Sequence, residues 1–139
     1  MGFRTLSKLL SGLAMLAVVS AGPASADPSG TWLTENGDAR VQISKCSNSY
    51  CGTIVWEKTP RTDTRNPDPA KRDRPLVGVQ MIYGMVPDGE NQYSGKLYNP
   101  RDGKTYTGKL TMQGAETMKL AGCVLGGLIC KSETWTRSN

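Results

Sequence analysis

The feature that most constrains the fold is the close spacing of turn residues from Gly30 onward. Asn36-Gly37-Asp38, Asp88-Gly89, Asp102-Gly103 and Gly126-Gly127 supply the positive φ angles that tight hairpins require. Between the turns lie short segments rich in Thr, Val, Ile, Tyr and Trp, and no sustained helical period is present. The pattern predicts eight strands at Thr31 to Thr34, Arg40 to Lys45, Gly52 to Lys58, Val79 to Met85, Gln92 to Tyr98, Thr105 to Met112, Thr117 to Val124 and Ile129 to Thr136.

Alternation along these segments predicts one apolar and one polar face. Val41 and Ile43 alternate with Gln42 and Ser44. By the same rule, the apolar face receives Ile54, Trp56, Tyr106, Leu110 and Met112, and the polar face receives Thr53, Val55, Thr105, Thr107, Lys109 and Thr111. Closing eight antiparallel strands in sequential order removes their exposed edges, which favours an all-β, up-and-down barrel. A flattened two-sheet sandwich is the alternative.

The N-terminus has the pattern of a cleavable secretory signal peptide over Met1 to Ala26. Arg4 and Lys8 precede a mostly apolar run, and Ala24-Ser25-Ala26 provides small residues at a cleavage site. The apolar run is shorter than the ~20 residues that a spanning helix needs. We therefore expect a single exported domain over residues 27–139, located in the periplasm or secreted, without stable membrane insertion.

The chain contains no histidine, which excludes several chemistries. Ser-His-Asp and Cys-His nucleophile systems and histidine-ligated zinc all need an imidazole. Without Arg4 and Lys8, 15 of the 17 basic residues remain against 12 acidic ones, and basic and acidic residues alternate along most of the chain. This weak positive charge argues against nucleic-acid binding. We expect no cofactor and no metal site.

Four cysteines follow the predicted cleavage site: Cys46, Cys51, Cys123 and Cys130. In a small exported domain an even number of cysteines indicates disulfides. Local pairing, Cys46 with Cys51 and Cys123 with Cys130, is favoured because each pair brackets a turn. A two-residue Gly126-Gly127 turn would hold the second pair too far apart, so we expect a bulge or a longer turn there. A zinc site built from all four cysteines remains an alternative, although their spacing fits it poorly.

The segment Thr59 to Pro75 interrupts the rhythm of strands. It contains four prolines and eight charged residues, so it predicts a long loop. Such a loop is either a solvated connection or a lid over a binding site. As a lid, it would present Arg65, Arg72 and Arg74 to an acidic head group, since guanidinium matches carboxylate and phosphate geometry.

Several motifs in order resemble a known family. They are Gly30-Thr31-Trp32, Asn66-Pro67-Asp68, Arg72-Asp73-Arg74-Pro75-Leu76, Tyr98-Asn99-Pro100, Asp102-Gly103-Lys104-Thr105-Tyr106, Gly122-Cys123 and Trp135-Thr136-Arg137. From about Gly30 to Arg137 the chain resembles the exported bacterial family called domain of unknown function 2147. The resemblance implies a small lipocalin-like barrel in the bacterial envelope. It also implies that Gly30, Trp32 and Arg137 close one end of the barrel, with the arginine over the indole.

Tyr98 and Tyr106 flank the predicted Asp102-Gly103 turn. They are either packing residues or part of a rim that recognises a ligand. Three functions remain open. The first is a periplasmic binding module for a small apolar or amphipathic ligand, and the second is a structural or stress-related envelope protein with a filled barrel that contacts proteins or the cell wall. The third is a hydrolase using Asp63, Asp68 or Asp73, which nearby arginines disfavour by lowering carboxyl pKa values. We expect a protein that is not an enzyme.

Overall fold

The computed structural model describes residue 2, residues 11–16 and residues 26–138. Eight strands form a closed antiparallel barrel in which each strand pairs with its neighbours in sequence and the last pairs with the first. The strands are β1 Gly30–Leu33, β2 Ala39–Cys46, β3 Ser49–Glu57, β4 Gln80–Pro87, β5 Gln92–Asn99, β6 Lys104–Met112, β7 Thr117–Val124 and β8 Ile129–Ser138. The predicted up-and-down barrel is confirmed, and the sandwich alternative is wrong.

The turns form where glycine permits them. Gly103 in the β5–β6 turn has φ +72°, and a Cβ placed there would lie 1.8 Å from the carbonyl oxygen of Arg65. Glycine at this position therefore allows both the turn and the close approach of the loop between β3 and β4. Because the strands run up and down, the β1–β2, β3–β4, β5–β6 and β7–β8 connections all lie at the same end of the barrel, which we call the loop end.

The core fills the half of the barrel opposite the loop end. Large side chains with at most 3% exposure pack there: Trp32, Ile43, Met85, Leu110, Met112 and Met118. Val41 and Ile43 point inward and Gln42 and Ser44 outward, as the alternation predicts.

One face assignment is wrong. The register pairs Val41 with Ile54 but Arg40 with Trp56, so Val55 forms a β-bulge. The extra residue turns Trp56 outward, where it is 36% exposed and stacks under the Arg40 guanidinium at 4.5 Å. It also turns Glu57 inward, and Glu57 is only 5% exposed. A bulge adds one residue to one strand and thereby reverses the faces beyond it.

Two local disulfides confirm the predicted pairing of cysteines. Cys46 joins Cys51 across the β2–β3 turn, and Cys123 joins Cys130 across the β7–β8 turn. Val124 pairs with Ile129, so the second turn has four residues instead of two. The longer turn brings the Cα atoms of Cys123 and Cys130 to 4.1 Å, close to the ~4.5 Å of a narrow antiparallel pair.

The end opposite the loops is closed by Arg137 and Trp32. The guanidinium of Arg137 lies 4.4 Å above the centre of the Trp32 ring. It also donates hydrogen bonds to the carbonyl oxygens of Ala115, Ser29 and Asp27. A Cβ on Gly30 would come within 2.5 Å of this guanidinium. The three residues implied by the family resemblance thus meet in one contact.

The predicted signal peptide lies largely outside the described residues, and so do its basic start and the first two residues of its cleavage motif. Within residues 11–16 and 26–138, the structure contains no helix long and apolar enough to cross a membrane.

Candidate functional site

The β3–β4 loop is tied to the barrel by a buried carboxylate. Asp63 is 0% exposed and accepts hydrogen bonds from the Tyr98 hydroxyl at 2.5 Å, from Asn66 Nδ2 at 2.8 Å and from Arg74 Nε at 2.9 Å. Burial raises the pKa of Asp63, but the donors and the Arg74 charge outweigh it and hold the pKa below 3.8. Burial and the hydrogen bond to Asp63 raise the pKa of Tyr98 to about 12. The loop is therefore an ordered part of the barrel's loop end.

A cavity of about 520 Å³ opens at this end and extends into the barrel. Its deeper wall is apolar and consists of Val41, Ile54, Leu97, Leu120 and Trp135. None of the large side chains that fill the opposite half borders it. The barrel is thus filled at one end and hollow at the other.

On one side of the mouth, Glu57 and Arg61 form a hydrogen-bonded pair. Glu57 accepts from the backbone N–H of Arg61 at 3.1 Å, from Nε at 3.2 Å and from Nη2 at 2.9 Å. The β-bulge at Val55 is what brings this carboxylate to the inner face. The pair joins the end of β3 to the start of the long loop.

A second polar group that borders the cavity is centred on Glu133 of β8. Glu133 accepts from Trp135 Nε1 at 3.0 Å and from Arg101 Nη1 at 3.2 Å. Lys131 also borders the cavity and forms no ion pair with any residue in the described part of the chain. The cavity therefore has an apolar depth and a charged mouth, in which Lys131 lacks, among the described residues, the ion pair that Arg61 and Arg101 form.

The arginines that were predicted to bind a ligand do not lie at the barrel cavity. Arg74 is bound to Asp63, and Arg72 Nε donates to the carbonyl oxygen of Asn66 at 2.9 Å. Arg65 borders a separate groove of about 640 Å³ between the long loop and the β5–β6 turn. None of the three arginines borders the barrel cavity.

Both predicted tyrosines do border it. The register pairs Tyr98 with Thr105 and Tyr106 with Leu97, so the two tyrosines lie on opposite faces of the sheet. The Tyr106 hydroxyl donates to Oδ2 of Asp102, and this hydrogen bond raises the pKa of Tyr106. Each phenol therefore positions a carboxylate of the loop end.

The charged residues of the mouth were missed by sequence reasoning. Lys131, Glu133 and Trp135 alternate on the predicted eighth strand, so the apolar Trp135 was a signal that its two neighbours also point inward. No comparable signal existed for Glu57, because nothing in the sequence marks the bulge. Among the described residues there is also no group of three or more side chains suited to hold a metal ion.

Comparison with known proteins agrees with this architecture. A comparison with curated proteins finds no match. Among solved structures, protein HP1028 from Helicobacter pylori, described as belonging to the lipocalin family, superposes with a TM-score of 0.73 at 22% identity. The alignment covers 82% of this chain and 84% of that chain, which establishes a lipocalin-like fold. The model of the family described as "Uncharacterized protein conserved in bacteria (DUF2147)" matches residues 30–137, and the chain therefore belongs to this family.

Proposed function

We propose that this protein is an exported, non-catalytic binding module whose barrel holds one small apolar or amphipathic molecule. The observation that carries the proposal is the cavity of about 520 Å³ at the loop end. Its volume falls within the range of about 300 to 1,000 Å³ that is usual for small-molecule sites. An apolar interior with a few polar groups at the entrance is also typical of such sites.

The lining orients the expected ligand. An apolar portion would pack against Val41, Ile54 and Leu120, because these side chains form the deeper wall. A polar portion would remain at the mouth, near Tyr98 and Tyr106. Charged side chains of both signs border this region: Asp38, Glu57, Asp102, Glu133, Arg61, Arg101 and Lys131.

The mixed charge of the mouth affects which side chains could bind the polar head group of a ligand. The predicted binding of an acidic head group by Arg65, Arg72 or Arg74 has less support, since Arg72 and Arg74 already bind groups of the loop. Lys131 is better placed to meet an acidic head group, because it borders the cavity and forms no ion pair within residues 26–138.

Two observations support a role without catalysis. A carboxylic acid that donates a proton near neutral pH needs a raised pKa, whereas the pKa of Asp63 is lowered. Asp68 accepts a hydrogen bond from the backbone N–H of Ala70 and thereby caps the short 3-10 turn Pro69–Lys71. Both acids serve the loop's own structure.

Two features of the chain support export: its disulfides and its N-terminal sequence pattern. Two disulfides persist in an oxidising compartment, and the N-terminal pattern from Met1 to Ala26 is that of a secretory signal. We propose the periplasm as the site of action and residues 27–139 as the mature domain.

The proposal is tested first by native mass spectrometry of the protein purified without reduction from the periplasm of a bacterial host. A small molecule that accompanies the folded protein and is lost on unfolding would support it. Titration with N-phenylnaphthylamine, a neutral apolar fluorophore, and with dansylundecanoic acid, an anionic amphipathic one, separates the two ligand classes. Binding of neither probe, together with a clean mass, would contradict the proposal.

A variant that fills the cavity sharpens this test. Gly122 borders the cavity, and a Cβ added there would lie 3.4 Å from Tyr106 Cβ, an ordinary contact. Gly122→Leu should therefore fold and weaken probe binding at least about tenfold, since the new side chain occupies ligand volume. Thr134→Leu is the matched control, because Thr134 is exposed on neighbouring β8. Equal probe affinity in the two variants would show that the probe binds outside the cavity.

A second candidate is a structural envelope protein that acts through its outer surface. It is favoured by the exposed apolar side chains of the β7–β8 turn, where Leu125 is 69% and Leu128 86% exposed. Absence of any cavity ligand would favour this function over the first.

A further inference from the structure

The β7–β8 turn presents an apolar tip to the surroundings. We use "the tip" for Val124, Leu125, Leu128 and Ile129, which surround Gly126-Gly127. Their exposed fractions are 41%, 69%, 86% and 58%. Exposed aliphatic residues usually occur singly, whereas here four lie within six positions and no polar residue stands among them.

The tip is held in one shape. Cys123 and Cys130 join the two strands directly beneath it. Leu125 has φ +54°, a left-handed conformation that is unfavourable for a branched side chain, and Gly126 and Gly127 also have positive φ. The backbone thus keeps both leucines at the surface instead of folding them onto the barrel.

The charged residue nearest the tip on this hairpin is a lysine. Lys131 follows Cys130 directly beneath the tip, whereas Lys119 lies five positions before Val124, about 17 Å away along β7. Glu133, the next acid along β8, is paired with Arg101. The adjacent β1–β2 turn carries Glu35 and Asp38, so attraction to an anionic surface is local to the hairpin and modest.

We propose that the tip docks peripherally on an anionic lipid surface, with its aliphatic side chains in the headgroup region and Lys131 near the phosphates. Aliphatic residues beside a basic side chain, here Lys131, are typical of membrane-surface segments, which enter the headgroup boundary by about 5–10 Å. A protruding tip enters lipid without a complementary groove. Protein interfaces, by contrast, draw most binding energy from Trp, Tyr and Arg, which the tip lacks.

The tip lies close to the opening of the cavity. The β7–β8 turn lies at the loop end, where the cavity opens. Docking through the tip would turn the cavity mouth toward the lipid and shorten the path of an amphipathic molecule between bilayer and barrel. This consequence rests on the proposed function, whereas the docking itself does not.

The test is co-sedimentation with vesicles of phosphatidylglycerol and phosphatidylethanolamine, compared with phosphatidylcholine vesicles. The protein is that exported by a bacterial host, with its N-terminus determined. We expect binding to the anionic vesicles, reduced at least about tenfold by the double substitution Leu125→Ser and Leu128→Ser. Lys131→Gln should reduce vesicle binding about fivefold, and added salt should also weaken it.

Val86→Ser is the matched control, because Val86 is 44% exposed at the opposite end of the barrel and should leave vesicle binding unchanged. Equal thermal unfolding of all variants verifies that they fold.

The proposal is overturned if the wild-type protein does not bind anionic vesicles, or if the serine double variant binds them equally well. A concentration-dependent dimer that the double variant abolishes, without vesicle binding, would also overturn it and assign the tip to a second copy of the chain. Loss of probe binding in the cavity with vesicle binding intact would contradict only the proposed function.

Discussion

The Tyr98 hydroxyl donates a hydrogen bond of 2.5 Å to Oδ1 of Asp63, 35 residues away in the sequence. It joins strand β5 to the loop that borders the cavity mouth, and both side chains are at most 6% exposed. A buried carboxylate in this position depends on each of its donors, since every missing hydrogen bond leaves charge that water cannot reach.

Removing the phenolic hydroxyl should loosen the loop. Tyr98→Phe keeps the ring but leaves Asp63 one donor short, so we expect the free energy of unfolding to fall by about 1–3 kcal/mol. Urea denaturation measures this loss, and hydrogen exchange at the Asp63 and Leu76 amides localises it. Tyr83→Phe is the control, because the Tyr83 hydroxyl makes an exposed hydrogen bond to the Gln80 carbonyl. A loss no larger than in the control would show that the Tyr98–Asp63 bond does not anchor the loop.

The same carboxylate makes the stability of the protein depend on pH. The pKa of Asp63 is lower in the folded protein than its usual 3.8, so its ionised form stabilises the fold. This contribution is fully present above the unfolded-state pKa and is lost as pH falls through the folded-state pKa.

We therefore expect the stability difference between wild type and Asp63→Asn to be largest near neutral pH and to shrink as the pH falls below about 4. Denaturation of both proteins across that range measures it, and the other carboxylates affect both proteins alike. A difference that stays constant with pH would contradict the ionised state of Asp63.

Closure of the barrel by Arg137 requires glycine at position 30. Gly30 and Gly114 both have positive φ, at +131° and +107°, but only at Gly30 would a Cβ meet another atom, Nη1 of Arg137, at 2.5 Å. Gly30→Ala should therefore be more destabilising than Gly114→Ala by about 1.5–3 kcal/mol, the cost of losing hydrogen bonds to a charged group. Thermal or urea unfolding of the two variants compares them. Equal losses would mean that only backbone strain matters at position 30.

Each disulfide should contribute modestly to stability. The bonded cysteines are 5 and 7 positions apart, and such short loops constrain the unfolded chain less than a 15-residue loop, which gives about 3 kcal/mol. Replacing Cys46 and Cys51, or Cys123 and Cys130, with serine should lower the unfolding midpoint and leave a folded barrel. Circular dichroism with and without a reductant checks this. Unfolding at ambient temperature after loss of either bridge would contradict the estimate.

Most of the fold could be predicted from local patterns. Turn glycines and two-residue alternation predicted all eight strands, and an up-and-down order needs no information about distant contacts. The local disulfides followed for the same reason, since each pair brackets one hairpin turn. The exception was Trp56, because a single bulged residue at Val55 reverses the faces beyond it and has no sequence mark.

The candidate site was less accessible from the sequence. Arg74 looked available for a ligand, but burial of Asp63 eleven residues earlier gives it a partner inside the loop. Glu57, Arg101 and Glu133 come from three separate elements and line the same cavity only when the barrel closes.

The sequence by itself determined the strands, their order and the cysteine pairs, because those depend on neighbours along the chain. Only the tertiary structure decided that one half of the barrel is packed and the other hollow. That division depends on how Trp32, Met85 and Met118 fill space at one end, while an apolar wall and a charged mouth surround the cavity at the other. The volume and the charge inside a closed barrel depend on residues from all of its strands, so no single segment of the sequence predicts them.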